Sequence, residues 1–307
     1  MTILIVGLGS MGKRRARLIR ILGAHTVAGV DNTEDRRAEA GALGIKTYPH
    51  LPEALETEKF DAAFVCTSPL THALIIDQLL DADIPVFTEL NLVPDGYEGL
   101  MAKAAERGLP LFLSSTMMYR GETRFIAKQV KEFAKPLNYI YHIGQYLPDW
   151  HPWESYKDFF VGDPRTGGVR EILGIDLPWL FSAFGPVQSA HVEKDKISDL
   201  DIAYPDSWFI TLRHANGHKG FLAADVVSPK AVRNFEMMGD GMHLFWEDNP
   251  KTLTMYDRET KQNMPVETVT NLIQDTRYSD NSVENAYIEE IQNFFGMLAG
   301  TEQPLWS

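Results

Sequence analysis

Gly7, Gly9 and Gly12 stand in the spacing Gly-x-Gly-x-x-Gly directly after the apolar run Ile3-Leu4-Ile5-Val6, and Asp31 closes the next such run, Thr26-Val27-Ala28-Gly29-Val30. Each residue type answers a need of a bound dinucleotide. Gly7 permits a tight turn out of a buried strand, Gly9 lets main-chain N–H groups approach a pyrophosphate, and Gly12 lets the following helix pack closely on the sheet. Ser10 and Met11 open a helical stretch that runs to Leu22, where unpaired N–H groups and the helix dipole favour an anion. Asp31, with Asn32 beside it, is placed to accept hydrogen bonds from the adenosine ribose. Its charge would repel a 2′-phosphate, so NAD is expected over NADP; Arg36 and Arg37 lie just beyond and either offset part of that repulsion or form a solvated helix face.

The elements that must hold these residues follow from the pattern around them. As far as about Ser115, short β-rich runs (Ile3 to Val6, Thr26 to Asp31, Lys46 to Tyr48, Ala62 to Cys66, Pro85 to Thr88, Leu109 to Leu113) alternate with helical stretches at Glu34 to Leu43, Thr71 to Leu80 and Asp95 to Arg107. That alternation predicts α/β structure, a Rossmann-type doubly wound parallel sheet over residues 1–118. After a linking helix from Glu122 to Phe133, longer alternating stretches begin at Tyr139, Trp208, Gly220, Arg233, His243 and Thr252, with helices at Gly168 to Phe184 and Val283 to Leu298. Residues 119–307 therefore read as an α+β domain with an open, mostly antiparallel sheet. The aromatic segment from Tyr146 to Tyr156, which holds Trp150 and Trp153, is expected to line a pocket.

Composition narrows the partners. The chain has 307 residues and a formal charge of −13, with no concentrated basic footprint of the kind nucleic acid requires. The dense basic cluster Lys13-Arg14-Arg15 with Arg17 and Arg20 reads chiefly as the outer face of an amphipathic helix. No apolar run is long enough to span a bilayer and no leader precedes the first strand, so a cytoplasmic protein is expected. Cys66 is the single cysteine, at the end of an apolar run, and reads as a small buried hydrophobe. No metal is expected, because catalytic zinc normally takes three protein ligands and the nine histidines give no such set.

Taken together, the N-terminal fingerprint, Cys66-Thr67-Ser68-Pro69-Leu70-Thr71-His72, Val86-Phe87-Thr88-Glu89, and Gly167-Gly168 ahead of a helix ending Phe184-Gly185-Pro186-Val187 resemble the Gfo/Idh/MocA family of oxidoreductases over nearly the whole length. The resemblance implies hydride transfer between a nicotinamide cofactor and a hydroxyl or keto carbon of a sugar, sugar-nucleotide or polyol. It places Thr67, Ser68, Pro69 and His72 along the cofactor and Glu89 near its ribose or nicotinamide; His72 alternatively reads as a surface histidine at a helix start.

The catalytic positions depart from the family pattern. Where the family has Glu-Lys-Pro this chain has Glu89-Leu90-Asn91, and the family's Asp-x-x-x-His falls on Glu171 and Ile175. Alcohol oxidation leaves a proton to be removed, so another base is required. Glu171 is the first candidate, because a carboxylate in a partly apolar pocket has its pKa raised toward neutrality; its alternative is a structural ion pair with Arg170 or Lys157. Asp176 is the second, and Tyr119, as a phenol beside the cation Arg120, another. Lys157 is placed to supply the absent ammonium or sits on the surface. Asn91 either orients the nicotinamide carboxamide or substrate, or caps a turn before Pro94. Arg120, Trp150 and Trp153 are the candidate sugar-binding residues.

Two functions compete on these residues: an NAD-dependent oxidoreductase with a non-standard base, and an NAD-binding sensor or assembly protein that has lost turnover. Phe209, Leu212, Phe221, Ala223 and Phe235 point to an apolar face on the second sheet. Family resemblance implies that a second copy covers it, in a homodimer or homotetramer.

Overall fold

The computed structural model describes residues 1–151, 154–274 and 283–305, and the chain divides into two compact units, Met1–Ser115 with Tyr287–Ser307, and Thr116–Ala286. The sequence reading divides the chain at 118/119 and gives the C-terminal helix to the second domain; most of that helix belongs to the first unit.

In the first unit β1 (Thr2–Val6), α1 (Ser10–Leu22), β2 (Thr26–Val30), α2 (Glu34–Ala42), β3 (Lys46–Tyr48), α3 (Leu51–Thr57), β4 (Ala62–Val65), α4 (His72–Asp81), β5 (Val86–Thr88), α5 (Tyr97–Arg107) and β6 (Leu111–Leu113) build one sheet. The strands run parallel in the order β3-β2-β1-β4-β5-β6. Every residue of β4 and β5 is buried, which is why these runs are apolar without alternation. The order reverses direction between β1 and β4, the kind of switch point at which open α/β sheets bind ligands. α3 escapes the sequence reading because seven residues are too few to show a helical period.

The C-terminal helix, Glu284–Leu298, joins this unit through aromatic packing. Phe294 meets Phe64 edge-on at 5.5 Å and Phe87 at 5.6 Å, and lies tilted on Phe112 at 5.6 Å. Phe64, Phe87 and Phe112 come from the adjacent strands β4, β5 and β6, so one residue of the returning chain covers that half of the sheet.

The second unit contains α6 (Gly121–Glu132), β7 (Asn138–Gly144), α7 (Gly168–Phe184), β8 (Val187–Asp195), β9 (Ser207–His214), β10 (Lys219–Asp225), β11 (Val232–Gly239), β12 (Met242–Glu247), β13 (Thr254–Asp257) and β14 (Gln262–Pro265). Its sheet runs β14-β13-β12-β11-β7-β10-β9-β8, antiparallel except for the β7/β10 pair. Tyr139, Tyr141, Leu222 and Phe235 pack beneath Trp179, Leu180 and Phe184 of α7 in one core. β8 and β14 are mainly exposed and polar, so neither shows the apolar alternation by which strands are read.

The expected apolar face needs correction. Side chains alternate along a strand, and Leu212 and Phe235 lie on the covered face, buried. Phe209 and Phe221 remain on the open face, 49% and 38% exposed and stacked at 5.7 Å, with Ile140 and Ala223 paired to them across the ladders.

Candidate active site

The glycine turn shows three different environments. Gly7 has φ +97°, and a Cβ there would sit 2.7 Å from Cys66 O. A Cβ on Gly12 would run into Gly7 O and approach Ile5 Cγ2 to 3.2 Å. At Gly9 the nearest atom to such a Cβ is Arg36 Nη1 at 4.0 Å, so the space above it is open. Two glycines are thus imposed by the turn and the helix behind it, while the middle one leaves a bare backbone facing open space. α1 begins just after with no side-chain cap, leaving its first N–H groups for an anion. This cradle fits a pyrophosphate.

Asp31 serves the same loop. Its Oδ2 accepts Leu8 N–H at 2.8 Å, its Oδ1 accepts Thr33 N–H at 2.9 Å, and its carbonyl accepts Arg37 Nη1 at 2.8 Å. Arg36 Nη1 lies 3.9 Å from Oδ2. The buried carboxylate therefore ties the glycine turn to the end of β2, the position from which it would meet a ribose. Asn32 beside it accepts from Thr33 Oγ1 at 3.3 Å.

At the ends of β4 and β5, Thr71 Oγ1 donates to Thr67 Oγ1 at 2.8 Å or to Ser68 O at 2.9 Å, and Pro69 opens a turn of 3-10 helix. His72 is fully buried rather than on the surface: Nε2 lies 3.0 Å from Thr67 O and Nδ1 3.3 Å from Thr88 Oγ1, and burial lowers its pKa. The ring is a neutral pin between the two strand ends. Asn91 Oδ1 accepts Val93 N–H at 3.3 Å, the turn-capping contact.

Sequence reasoning misses the residue behind Glu89. Arg15, read as outer-face, is fully buried, donating from Nε to Glu89 Oε1 at 2.6 Å and from Nη2 to Glu290 Oε2 at 2.7 Å. Burial opposes its charge, but Glu89 and Glu290 hold its pKa above the ordinary value. Arg14 is buried too, its guanidinium 4.4 Å from the centre of the Tyr287 ring. The signal was the spacing: Gly12, Arg15, Ala16 and Ile19 fall at helical intervals on the face α1 turns to the sheet.

In the second unit, Glu171 sits in the first turn of α7. The tight approach of that turn depends on its two glycines, since a Cβ on Gly167 would meet the Tyr204 ring at 2.9 Å and one on Gly168 would meet Val226, Leu147 and Trp150 at 2.9–3.2 Å. Glu171 Oε2 is buried with no hydrogen-bond partner among the described residues. Burial pushes its pKa up to about 8. Lys157, its suggested partner, is exposed and pairs with Asp201 instead. Trp150 is half-buried, its indole donating to Gln145 O at 3.3 Å, and Trp153 lies outside the described residues.

Asp176 and Arg120 are occupied elsewhere. Asp176 is fully buried, accepting from Tyr141 Oη at 2.6 Å, Trp179 Nε1 at 3.2 Å and Arg233 Nη2 at 3.0 Å. Arg233 continues to Asp248 Oδ2 at 3.0 Å, and Arg120 binds Asp248 Oδ1 and Glu122 Oε1, each at 2.6 Å. Three donors on a fully buried carboxylate leave Asp176 no route to act as a base, and Arg120 is buried with both terminal nitrogens spent on Asp248 and Glu122, its Nε having no hydrogen-bond partner among the described residues. Tyr119 is buried, with the guanidinium of Arg124, not of Arg120, 5.5 Å from its ring centre.

Residues 1–114 match the model of an oxidoreductase family with an NAD-binding Rossmann fold, GFO_IDH_MocA. An inositol 2-dehydrogenase of Leifsonia xyli is 30% identical over 110 residues, 34% of this chain and 32% of the relative, so the match spans about a third of that protein. An oxidoreductase from Agrobacterium radiobacter, solved with NAD+, L-tartaric acid and magnesium, superposes with TM-score 0.83 at 11% identity, over all of this chain and 91% of its own. UDP-N-acetylglucosamine 3-dehydrogenase GnnA from Acidithiobacillus ferrooxidans superposes with TM-score 0.79 at 17% identity, over 100% and 91%. Both structures share the two-part fold. No helix among the described residues is long and apolar enough to cross a membrane.

Proposed function

We propose that the chain, whose residues 1–114 match the NAD-binding Rossmann model of the GFO_IDH_MocA oxidoreductase family, is an NAD-dependent oxidoreductase acting on a hydroxyl or keto carbon of a sugar, sugar-nucleotide or polyol. The observation that carries this reading is the cradle at Gly9, open to a ligand between two glycines that the fold itself requires. Gly7, Gly9, Ser10, Met11 and Gly12 hold the pyrophosphate, and Asp31 with Asn32 meets the adenosine ribose. Thr67, Ser68, Pro69, Glu89 and Asn91 hold the remainder, with His72 behind them. The cofactor supplies an acceptor or donor of hydride. The chain's own task is the proton, and Glu171 takes it from the substrate hydroxyl through its unpartnered Oε2. A carboxyl with its pKa near 8 is close to the value that serves both acid and base work at neutral pH. Trp150 offers a flat apolar face to a sugar ring. The substrate class draws support from the relatives, one an inositol dehydrogenase and one a dehydrogenase of a UDP-linked sugar.

The exposed pair Phe209 and Phe221 supports a homodimer or homotetramer through the second sheet. Leu90 and Ile175, where the family pattern has lysine and histidine, favour one other reading, a cofactor-binding sensor without turnover. The test is nicotinamide absorbance after mixing the NAD-loaded protein with UDP-sugars and inositols. Reduction of cofactor by any of them supports the enzyme, and an inert cofactor across the panel supports the sensor.

A further inference from the structure

The first turn of an α-helix leaves main-chain N–H groups without intrahelical partners, and an acid in that region can turn back toward them. Gly167 caps α7 and Glu171 is its fourth residue; the N–H of Gly168, first in the helix, is already taken: it points to Tyr204 Oη at 3.1 Å, and Oη donates onward to Val161 O at 2.6 Å. The phenol ring fills the space a Gly167 side chain would need, so it is wedged against the helix start. Resting on the reading of Glu171 as the base, we propose that Tyr204 is a positioning residue: by occupying the Gly168 N–H it keeps the Glu171 carboxyl from folding back onto its own helix, leaving Oε2 open to a substrate hydroxyl. A carboxylate in a first helical turn is ordinarily steadied by the helix dipole and by free N–H groups. Here Tyr204 withholds one such group, and the burial that raises the Glu171 pKa goes uncompensated.

Carbon-13 carboxyl resonances of the cofactor-free protein test this, with the Glu171 signal assigned by its loss in Glu171→Gln. The wild-type midpoint is expected at about 8. In Tyr204→Phe the freed N–H stabilises the carboxylate, and the midpoint falls by about one unit or more. A merely structural tyrosine would leave the midpoint in place, and that result overturns the proposal. Should Tyr204→Phe fail to fold, 3-fluorotyrosine at position 204 keeps the ring while making the hydroxyl a weaker acceptor. A smaller downward shift is then expected, and no shift overturns the proposal. Undiminished turnover in Glu171→Gln, with the midpoint still moving in Tyr204→Phe, would instead remove the base assignment and leave the coupling between the two residues standing.

Discussion

Arg15 Nε donates to Glu89 Oε1 at 2.6 Å from a side chain with no exposure to solvent. The same guanidinium holds Glu290 of the C-terminal helix, whose Oε1 accepts Ser115 N–H at 2.6 Å. One cation thus joins the end of β5, the end of the first unit's N-terminal stretch and the returning helix. Its two acids are a poor environment for each other without it, since burial already raises the Glu290 pKa against the pull of Arg15.

Replacing Arg15 by Met therefore leaves two facing carboxylates in the interior. Breaking a buried ion pair from one side costs about 3–5 kcal/mol, and a denaturant titration of Arg15→Met is expected to show a loss of that size. The sign of its pH dependence follows. Burial already raises the Glu290 pKa, and without the cation nothing opposes it, so the variant is more stable at low pH and loses stability as pH rises through the folded-state value of Glu290. A deficit that stays constant between pH 5 and pH 8 would show that the pair carries no such load.

The glycine cradle separates fold from binding. Gly7→Ala and Gly12→Ala place a methyl group against backbone and should destabilise the first unit. Gly9→Ala places one in open space, so the melting temperature should hold while NADH affinity drops about tenfold, roughly 1.4 kcal/mol. Fluorescence titration of NADH alongside a thermal melt checks both; equal damage to stability at all three positions contradicts the assignment.

Strand runs and helix starts around the cofactor half were readable because they rest on local chemistry: the Gly7 turn, the buried β4 and β5, the acid at the end of β2. What was not readable depends on residues far apart in sequence. Arg15 reads as surface from its charge, and only Glu89 and Glu290, separated from it by 74 and 275 positions, make it core. Phe294 joins the first unit through partners in three strands. Asp176 has the residue type and position of a base, yet Arg233, 57 residues away, claims it. Leu212 and Phe209 lie in one apolar run, and only alternation along β9 separates core from surface. At Glu171 the sequence could supply the residue and the expected direction of its pKa, but not Tyr204 beside it.

The open sheet face makes a separate prediction. Phe221 lies on it, stacked on Phe209 and paired with Ile140 of β7. If a second copy covers this surface, Phe221→Glu puts a charge into an apolar contact on both sides of the symmetry axis at once. Sedimentation velocity should then show oligomer for the wild type and monomer for the variant, with NADH binding unchanged. A monomeric wild type would leave the face without its proposed occupant.

The sharpest prediction concerns pH. As base, Glu171 must be ionised, so substrate oxidation should rise with pH through about 8 and level off above it. Carbonyl reduction needs the protonated acid and should fall over the same range. Glu171→Gln removes the titrating group; both profiles should flatten, with kcat lower by about 10²–10⁴-fold. Stability moves by the same linkage: a folded-state pKa above the unfolded one gives a contribution present at low pH and lost as pH rises through the folded value. The glutamine variant should therefore melt no lower than wild type above pH 8, even though it turns over slowly. Paired measurements of kcat and melting temperature across pH 6 to pH 10 check this, and an unaltered rate profile in Glu171→Gln would assign the proton to another group.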